Sequence, residues 1–228
     1  GLLRELCPGR DPPLLGLDVG CNSGELSIAM YRHLLALPDL PSLSPPGNSG
    51  LDLHLLCCDI DPELIRRARS NCPFPNSMTF LPLDIMDRES RDSLLDSHLE
   101  RFGRSRFDLA LCMSVTMWIH LRHGDRGLRE FLEFLASRCS FLLLEPQPWK
   151  CYRAAARRLR RLGRSDWEHF RGLGIRGDVP AGICGILTRH CGMELVCSFG
   201  NTEWERSVLL FRSTRESGDG RGKSRDLG

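Results

Sequence analysis

Short unbroken apolar runs alternate with stretches of helical period along this chain. Leu14-Leu15-Gly16-Leu17-Asp18-Val19 is one such run, stopped by a glycine-rich turn, and it predicts a strand buried on both faces. From Glu25 to Leu37 the apolar positions recur at Leu26, Met30, His33/Leu34 and Leu37, the spacing of an amphipathic helix. Pro38 to Gly50 holds four prolines and two glycines and predicts a loop. Leu53–Cys58 predicts a second strand. Asp61-Pro62 then opens a helix reaching Arg69, with Asp61 as N-cap and Pro62 at the first helical position. Met78–Leu83, Phe107–Met113 and Phe141–Leu144 read as further strands, separated by helices at Asp87–Phe102 and Gly127–Arg138. Beyond them, Trp149–Leu162 and Val179–His190 are predicted helices. Met193–Phe199 and Ser207–Phe211 are predicted strands, joined across Gly200-Asn201-Thr202 as a hairpin.

Strand–helix alternation implies an α/β fold with a parallel sheet, helices on both faces and right-handed crossovers. The late hairpin adds one antiparallel strand, for a seven-stranded, mostly parallel sheet. The pattern alone leaves other doubly wound folds open. One domain is expected over residues 1–213, followed by a polar, glycine-rich tail over 214–228 that is expected to lack order. At 228 residues, 41% of them hydrophobic, the core is large enough to stand without disulfides or metals. A formal net charge of +2 names no partner. The 11 cysteines are odd in number and include no Cys-x-x-Cys pair, which predicts free thiols in a reducing compartment. Cys57 and Cys58 are adjacent on one strand, so their side chains should face opposite ways. The sequence shows no signal-peptide pattern and no apolar run of the roughly 18 residues that a membrane helix needs, so no membrane partner is expected.

The turn Asp18-Val-Gly20-Cys-Asn22-Ser-Gly24 joins the first strand to the first helix. Glycine lets backbone turn sharply and approach a ligand closely, and ligands of open α/β sheets bind beyond the carboxyl ends of the strands. The Gly-x-x-x-Gly spacing is neither a dinucleotide fingerprint nor a P-loop, and by itself it fits a ligand-free turn equally well. Asp59 shifts that balance. It ends the second strand, where a carboxylate can accept from both hydroxyls of a ribose. Asp61 competes for that role but suits capping better. Asp84 follows the third strand and can accept from an adenine amino group. Ile85 and Met113 stand where they can pack on the two faces of the ring.

On the other side, Ser114-Val-Thr-Met117 offers no amide or carboxylate to orient an amine nucleophile. Trp118, His120, His123 and Asp125 form a polar-aromatic cluster read as a loop. His-x-x-His with an aspartate is a weak zinc pattern without a cysteine to complete it, so no metal is expected. Lys150 follows Pro-Gln-Pro at the end of the fifth strand, where it can meet a phosphate or simply be solvated. In the next helix Arg153, Arg157, Arg160, Arg161 and Arg164 fall within an arc of about 100°. Tyr152, Ala155, Ala156, Leu159 and Leu162 take the other side. Between Lys150 and Arg171 eight Lys/Arg stand against two Asp/Glu. A stripe of one sign repels itself unless an anion covers it, and a nucleic-acid backbone is the first choice.

Four blocks carry a resemblance: Asp18–Gly24, Cys58-Asp-Ile-Asp61, Met113-Ser-Val-Thr-Met-Trp-Ile-His120 with Gly124-Asp125, and Glu145-Pro-Gln-Pro-Trp-Lys150. Together they resemble the Bicoid-interacting family of RNA methyltransferases, over roughly residues 14 to 213. The glycine loop is shared by many class I methyltransferases; the last two blocks are far more specific. The resemblance implies a Rossmann-like class I fold and S-adenosylmethionine as cofactor, with S-adenosylhomocysteine as product. It implies cofactor contacts from Asp18, Gly20, Asn22, Asp59, Ile60, Asp84, Ile85 and Met113. It implies methylation of an RNA 5′-terminal phosphate, such as that of histidine tRNA or microRNA precursors, in the cytoplasm by a monomer. Trp118, His120 and Lys150 become the candidates for holding that phosphate. Family members carry a segment ahead of the first strand that helps hold both ligands, most of which is expected to lie outside these 228 residues. A methyltransferase for a small molecule or protein, and a non-catalytic RNA-binding partner, are the alternatives.

Overall fold

Seven strands join one sheet in the computed structural model, which describes residues 13–35, 52–165, 167–201 and 206–215. They are β1 (Leu14–Val19), β2 (Leu53–Asp59), β3 (Met78–Pro82), β4 (Phe107–Met113), β5 (Cys139–Glu145), β6 (Met193–Asn201) and β7 (Ser207–Ser213). Their spatial order is β3-β2-β1-β4-β5-β7-β6. Strands β1 to β5 pair in parallel, and β7 runs antiparallel to both β5 and β6. This is the α/β class I methyltransferase sheet expected from the sequence, with its single reversed strand. The chain winds outward from β1 through β2 to β3, then returns to place β4 on the other side of β1. The connections leaving β1 and β4 therefore diverge, and a crevice opens between them at the carboxyl ends of the strands.

Six helices are described: α1 (Glu25–Leu34), α2 (Pro62–Asn71), α3 (Arg88–Glu100), α4 (Thr116–Arg138), α5 (Trp149–Arg161) and α6 (Val179–His190). The strands are apolar on both faces and build two cores. One joins Leu15, Leu17, Leu56 and Cys58 to α3, α4, α5 and α6 through Leu95, Leu132, Tyr152 and Ile183. The other joins Leu53, Leu55, Cys57 and Leu111 to α1 and α2 through Tyr31, Ile65 and Ala68. Each fully buried leucine contributes about 1.5–3 kcal/mol. Cys57 and Cys58 fall in different cores, as strand alternation requires, and the described cysteines are all free thiols. None of the described helices is long and apolar enough to cross a membrane.

One element departs from the sequence reading. The helix predicted at Gly127 begins at Thr116, so the Trp118–His120 cluster is helical rather than looped. The sequence conceals this because Gly124 interrupts the pattern with φ 68° and ψ −172°, a left-handed geometry that breaks the helix without ending it. Elsewhere the bounds shift by a few residues, as helix and strand ends generally do. The loop expected at 38–50 lies outside the described residues. So do Thr202 of the expected hairpin turn, whose Gly200 and Asn201 belong to β6, and all but Thr214 and Arg215 of the expected tail.

Candidate cofactor and substrate site

A cavity of about 770 Å³ lies at the tips of β1, β2, β4 and β5. Its first half is built by backbone turns. Gly20 has φ 77°, and a Cβ there would meet Val115 Cγ2 at 2.2 Å, so only glycine lets the β1–α1 turn pass this close to the start of α4. Asn22 also lies in the left-handed region, at φ 52°, which asparagine tolerates better than most residues. Its N–H donates to Asp59 Oδ2 at 2.9 Å, while Asp59 Oδ1 accepts from Asp61 N–H at 3.0 Å. Each oxygen of an ionised carboxylate has acceptor capacity for a second donor, so Asp59 is aimed and can still take ligand hydroxyls. Asp61 caps α2, accepting from Glu63 and Leu64 N–H. Asp84 is held by Met86 N–H at 2.9 Å. Asp18 is buried and accepts from Ser27 Oγ at 2.6 Å. Burial, with the nearby charge of Asp59, raises its pKa to about 6 against the opposing pull of the Ser27 bond.

The second half is assembled from segments far apart in sequence. Ser114 follows β4 with φ 61°, a strained conformation for serine that costs about 1–3 kcal/mol. Gln147, buried between Pro146 and Pro148, holds it there: Nε2 donates to Ser114 C=O at 2.5 Å. Gln147 Oε1 accepts from Met117 N–H at 3.1 Å and Thr116 Oγ1 at 3.2 Å, so one amide also satisfies the first turn of α4. The buried Glu145 carboxylate accepts from Ser114 Oγ and pairs with Arg206 across 3.5 Å, and Arg206 Nη1 donates to Ser114 Oγ at 2.7 Å. Arg122 and His123, from α4, complete the lining on this side.

All eight residues expected to hold the cofactor line this one cavity: Asp18, Gly20, Asn22, Asp59, Ile60, Asp84, Ile85 and Met113. Of the three expected to hold a phosphate, only Trp118 does. His120 is buried at 0% exposure on the inner face of α4, with Nδ1 3.0 Å from Tyr152 Oη and Nε2 2.7 Å from Asp125 Oδ1. Burial lowers its pKa, opposed by the Asp125 contact. A neutral ring donating from Nε2 to Asp125 and accepting from the Tyr152 hydroxyl satisfies both partners. Asp125 also accepts from Gly174 and Ile175 N–H, at 2.7 and 3.2 Å, and so ties the segment after α5 to the Gly124 break. Lys150 is exposed in the first turn of α5 and does not line the cavity. The cations in the cavity lining are instead Arg122 and Arg206. The sequence signal for Arg122 was its place one turn after Trp118, hidden once that stretch was read as a loop; nothing local marked Arg206.

On α5 the arginines Arg153, Arg157, Arg160 and Arg161 are exposed, and Arg164 is exposed just past the helix end. Tyr152 and Ala156 are buried, but Leu162, expected on the apolar side, is 61% exposed because the helix ends at Arg161. Among the described residues no group of three or more His, Cys, Asp or Glu is placed to hold a metal ion.

The Bicoid-interacting protein 3 (Bin3) family model matches residues 107–213. An RNA 5′-monophosphate methyltransferase of Homo sapiens is 59% identical over 214 residues, covering 93% of this chain and 72% of that protein. A pre-miRNA 5′-monophosphate methyltransferase of Xenopus laevis is 55% identical, covering 89% of this chain and 77% of its own length. Among solved structures, the N-methyltransferase NodS of Bradyrhizobium japonicum in complex with S-adenosyl-L-homocysteine shares the fold. Its TM-score is 0.53 at 15% identity, over 94% of this chain and 85% of that one.

Proposed function

The chain belongs to the Bicoid-interacting family together with the RNA 5′-monophosphate methyltransferases, and on that premise we propose that it methylates the 5′-terminal monophosphate of an RNA using S-adenosylmethionine. The observation that carries this reading is the polarity of the cavity. Five carboxylates, Asp18, Glu25, Asp59, Asp61 and Asp84, line the β1–β3 side, while Arg122, His123 and Arg206 line the β4–β7 side, where the one carboxylate in the lining, Glu145, is paired with Arg206. A cationic nucleoside suits the first side and an anion the second.

When bound, S-adenosylmethionine supplies an electrophilic sulfonium methyl and leaves as S-adenosylhomocysteine. Asp59 would receive the ribose hydroxyls, Asp84 and Ile85 the adenine, and Asp18 the amino group. Met113 and Ile60 would cover the ring. A terminal phosphate has a second pKa near 6 and arrives already ionised, so the site needs no general base. The His120–Asp125 pair is not free to act as one: the imidazole is buried against Tyr152, and the partly exposed Asp125 is engaged by His120 and by the segment at Gly174. The work left to the protein is alignment, which can supply about 7–11 kcal/mol. Arg122 and Arg206 would hold the non-attacking oxygens, and Glu145 fixes Arg206 so that it does not follow the nucleophile. From the cavity, the RNA would run over the start of α5 and along its arginines. The expected substrates, histidine tRNA and microRNA precursors, carry 5′ ends of this kind, and we place the reaction in the cytoplasm with a monomer.

The test is methyl transfer from labelled cofactor to RNAs that differ only at the 5′ end. Label on the 5′-monophosphate RNA and none on the 5′-hydroxyl RNA is the expected result. Equal labelling of both would move the reaction away from the phosphate.

A further inference from the structure

Among the described residues eight large apolar side chains stay exposed, and three of them, Leu26 at 51%, Ile60 at 53% and Trp118 at 45%, line the cavity. Leu26 and Ile60 sit on the cofactor side. Trp118 stands on the other, and the nucleoside of the cofactor does not account for it. Its neighbours Met117, Ile119, His120 and Leu121 are all buried, so α4 turns Trp118 and Arg122, one turn apart, outward together into the cavity.

The indole is braced. Trp167 meets it with ring centroids 5.8 Å apart and planes tilted by 58°. Trp167 belongs to a segment pinned on two sides. Asp125 accepts from Gly174 and Ile175 N–H, while Phe170 stacks on Trp149, which stacks on Tyr152. Tyr152 in turn meets the buried His120. A tilted neighbour holds a ring in place without covering both of its faces. A core tryptophan would be covered, and a merely solvated one would not be buttressed by a hydrogen-bonded segment from fifty residues away in the chain.

We infer that Trp118 is a stacking platform for the first nucleobase of the RNA, and so a specificity-determining residue. The inference rests on the proposed 5′-phosphate methylation. A 5′-nucleotide carries its base and its terminal phosphate on either side of one ribose. Trp118 and Arg122 offer an aromatic face and a guanidinium one helical turn apart to receive them. The contact is sequence-tolerant, because every base has a π face, and it is strongest for the larger purine surface. A fixed platform also loses little side-chain entropy on binding.

The experiment is steady-state methylation, with equilibrium RNA binding measured in parallel. It uses the whole chain and two RNAs with the same 5′-monophosphate: one with a purine at the first nucleotide, the other abasic there. Wild type should show KM and Kd raised about tenfold on the abasic RNA. Trp118→Ala should raise both about tenfold on the purine RNA and hardly further on the abasic one, with the loss in KM rather than kcat. Trp118→Phe, which keeps a smaller face, should fall between. Equal wild-type KM for the two RNAs overturns the stacking role and leaves phosphate methylation standing. So does a Trp118→Ala defect just as large on the abasic RNA. Methylation of neither RNA by wild type would sink the function and the stacking role together.

Discussion

The two halves of the cavity hold their functional groups by different means. On the β1–β3 side Asp59, Asp61 and Asp84 are aimed by backbone N–H groups of their own or the adjoining turn, and Asp18 by Ser27 of α1. Asp61 and Asp84 accept from N–H groups two residues on, and Asp59 accepts from Asp61 and from the glycine turn beside it. On the β4–β7 side Ser114 and Arg206 are held by side chains of other segments: Ser114 by Glu145 and Gln147, and Arg206 by Ser114 and Glu145. The first half is a property of strand ends. The second exists only after the sheet has closed, and it carries the strain, at Ser114. A nucleoside needs the same few hydrogen bonds in any protein, and local turns suffice for them. A substrate phosphate beside a reacting carbon needs cations held at a chosen distance and not free to follow it, which takes cross-bracing.

If the halves are separable, substitutions should sort cleanly. The largest effect is expected from Asp59→Ala, which removes the proposed ribose acceptor and the anchor of Asn22. Cofactor affinity by calorimetry should fall on the order of 100-fold, with RNA affinity unchanged; an equal loss of RNA affinity would show one coupled site. Arg122→Ala should raise KM for 5′-phosphorylated RNA about tenfold at constant cofactor affinity, while Lys150→Ala, outside the cavity, does less. The reverse ranking would return the phosphate to Lys150.

Acidity separates the halves again. The free Asp18 carboxyl has a pKa of about 6, and a bound ammonium would lower it, so binding releases a proton in acid. Cofactor affinity should be flat above about pH 6 and fall by up to tenfold per unit below it. Stability of the free protein responds to this group in the opposite sense. Because the folded pKa lies above the unfolded value, its contribution is fully present below about pH 4 and lost as pH rises through 6. Asp18→Asn should flatten both profiles, as read by calorimetry and denaturant titration. Least affected should be Arg157→Glu with Arg161→Glu. That variant should bind RNA a few-fold more weakly, with a salt slope reduced by about 1.4 if both arginines meet single-stranded phosphates. An unchanged slope would assign the stripe to another partner.

The legibility of the two halves follows the same division. Asp18, Gly20, Asn22, Asp59 and Asp84 could be named from the sequence because a strand end, a glycine turn and a following acid are local patterns, and the fold turns such ends to one edge. His120 could not be told from a surface ligand. Its fate depends on Tyr152 and Asp125, neither of which a helical period places beside it. Arg206 gave no sign, since only the antiparallel seating of β7 against β5 brings it to Glu145.

By itself, then, the order of apolar runs and turns determined the sheet, its reversed strand and the edge at which the cavity opens, because periodicity and backbone chemistry act over a few residues. Tertiary structure alone decided which cations face the cavity, that Trp118 is helical and braced, and that Gln147 staples two turns together. Those outcomes depend on distances between segments far apart in the chain, and such distances come into being only when the cores pack.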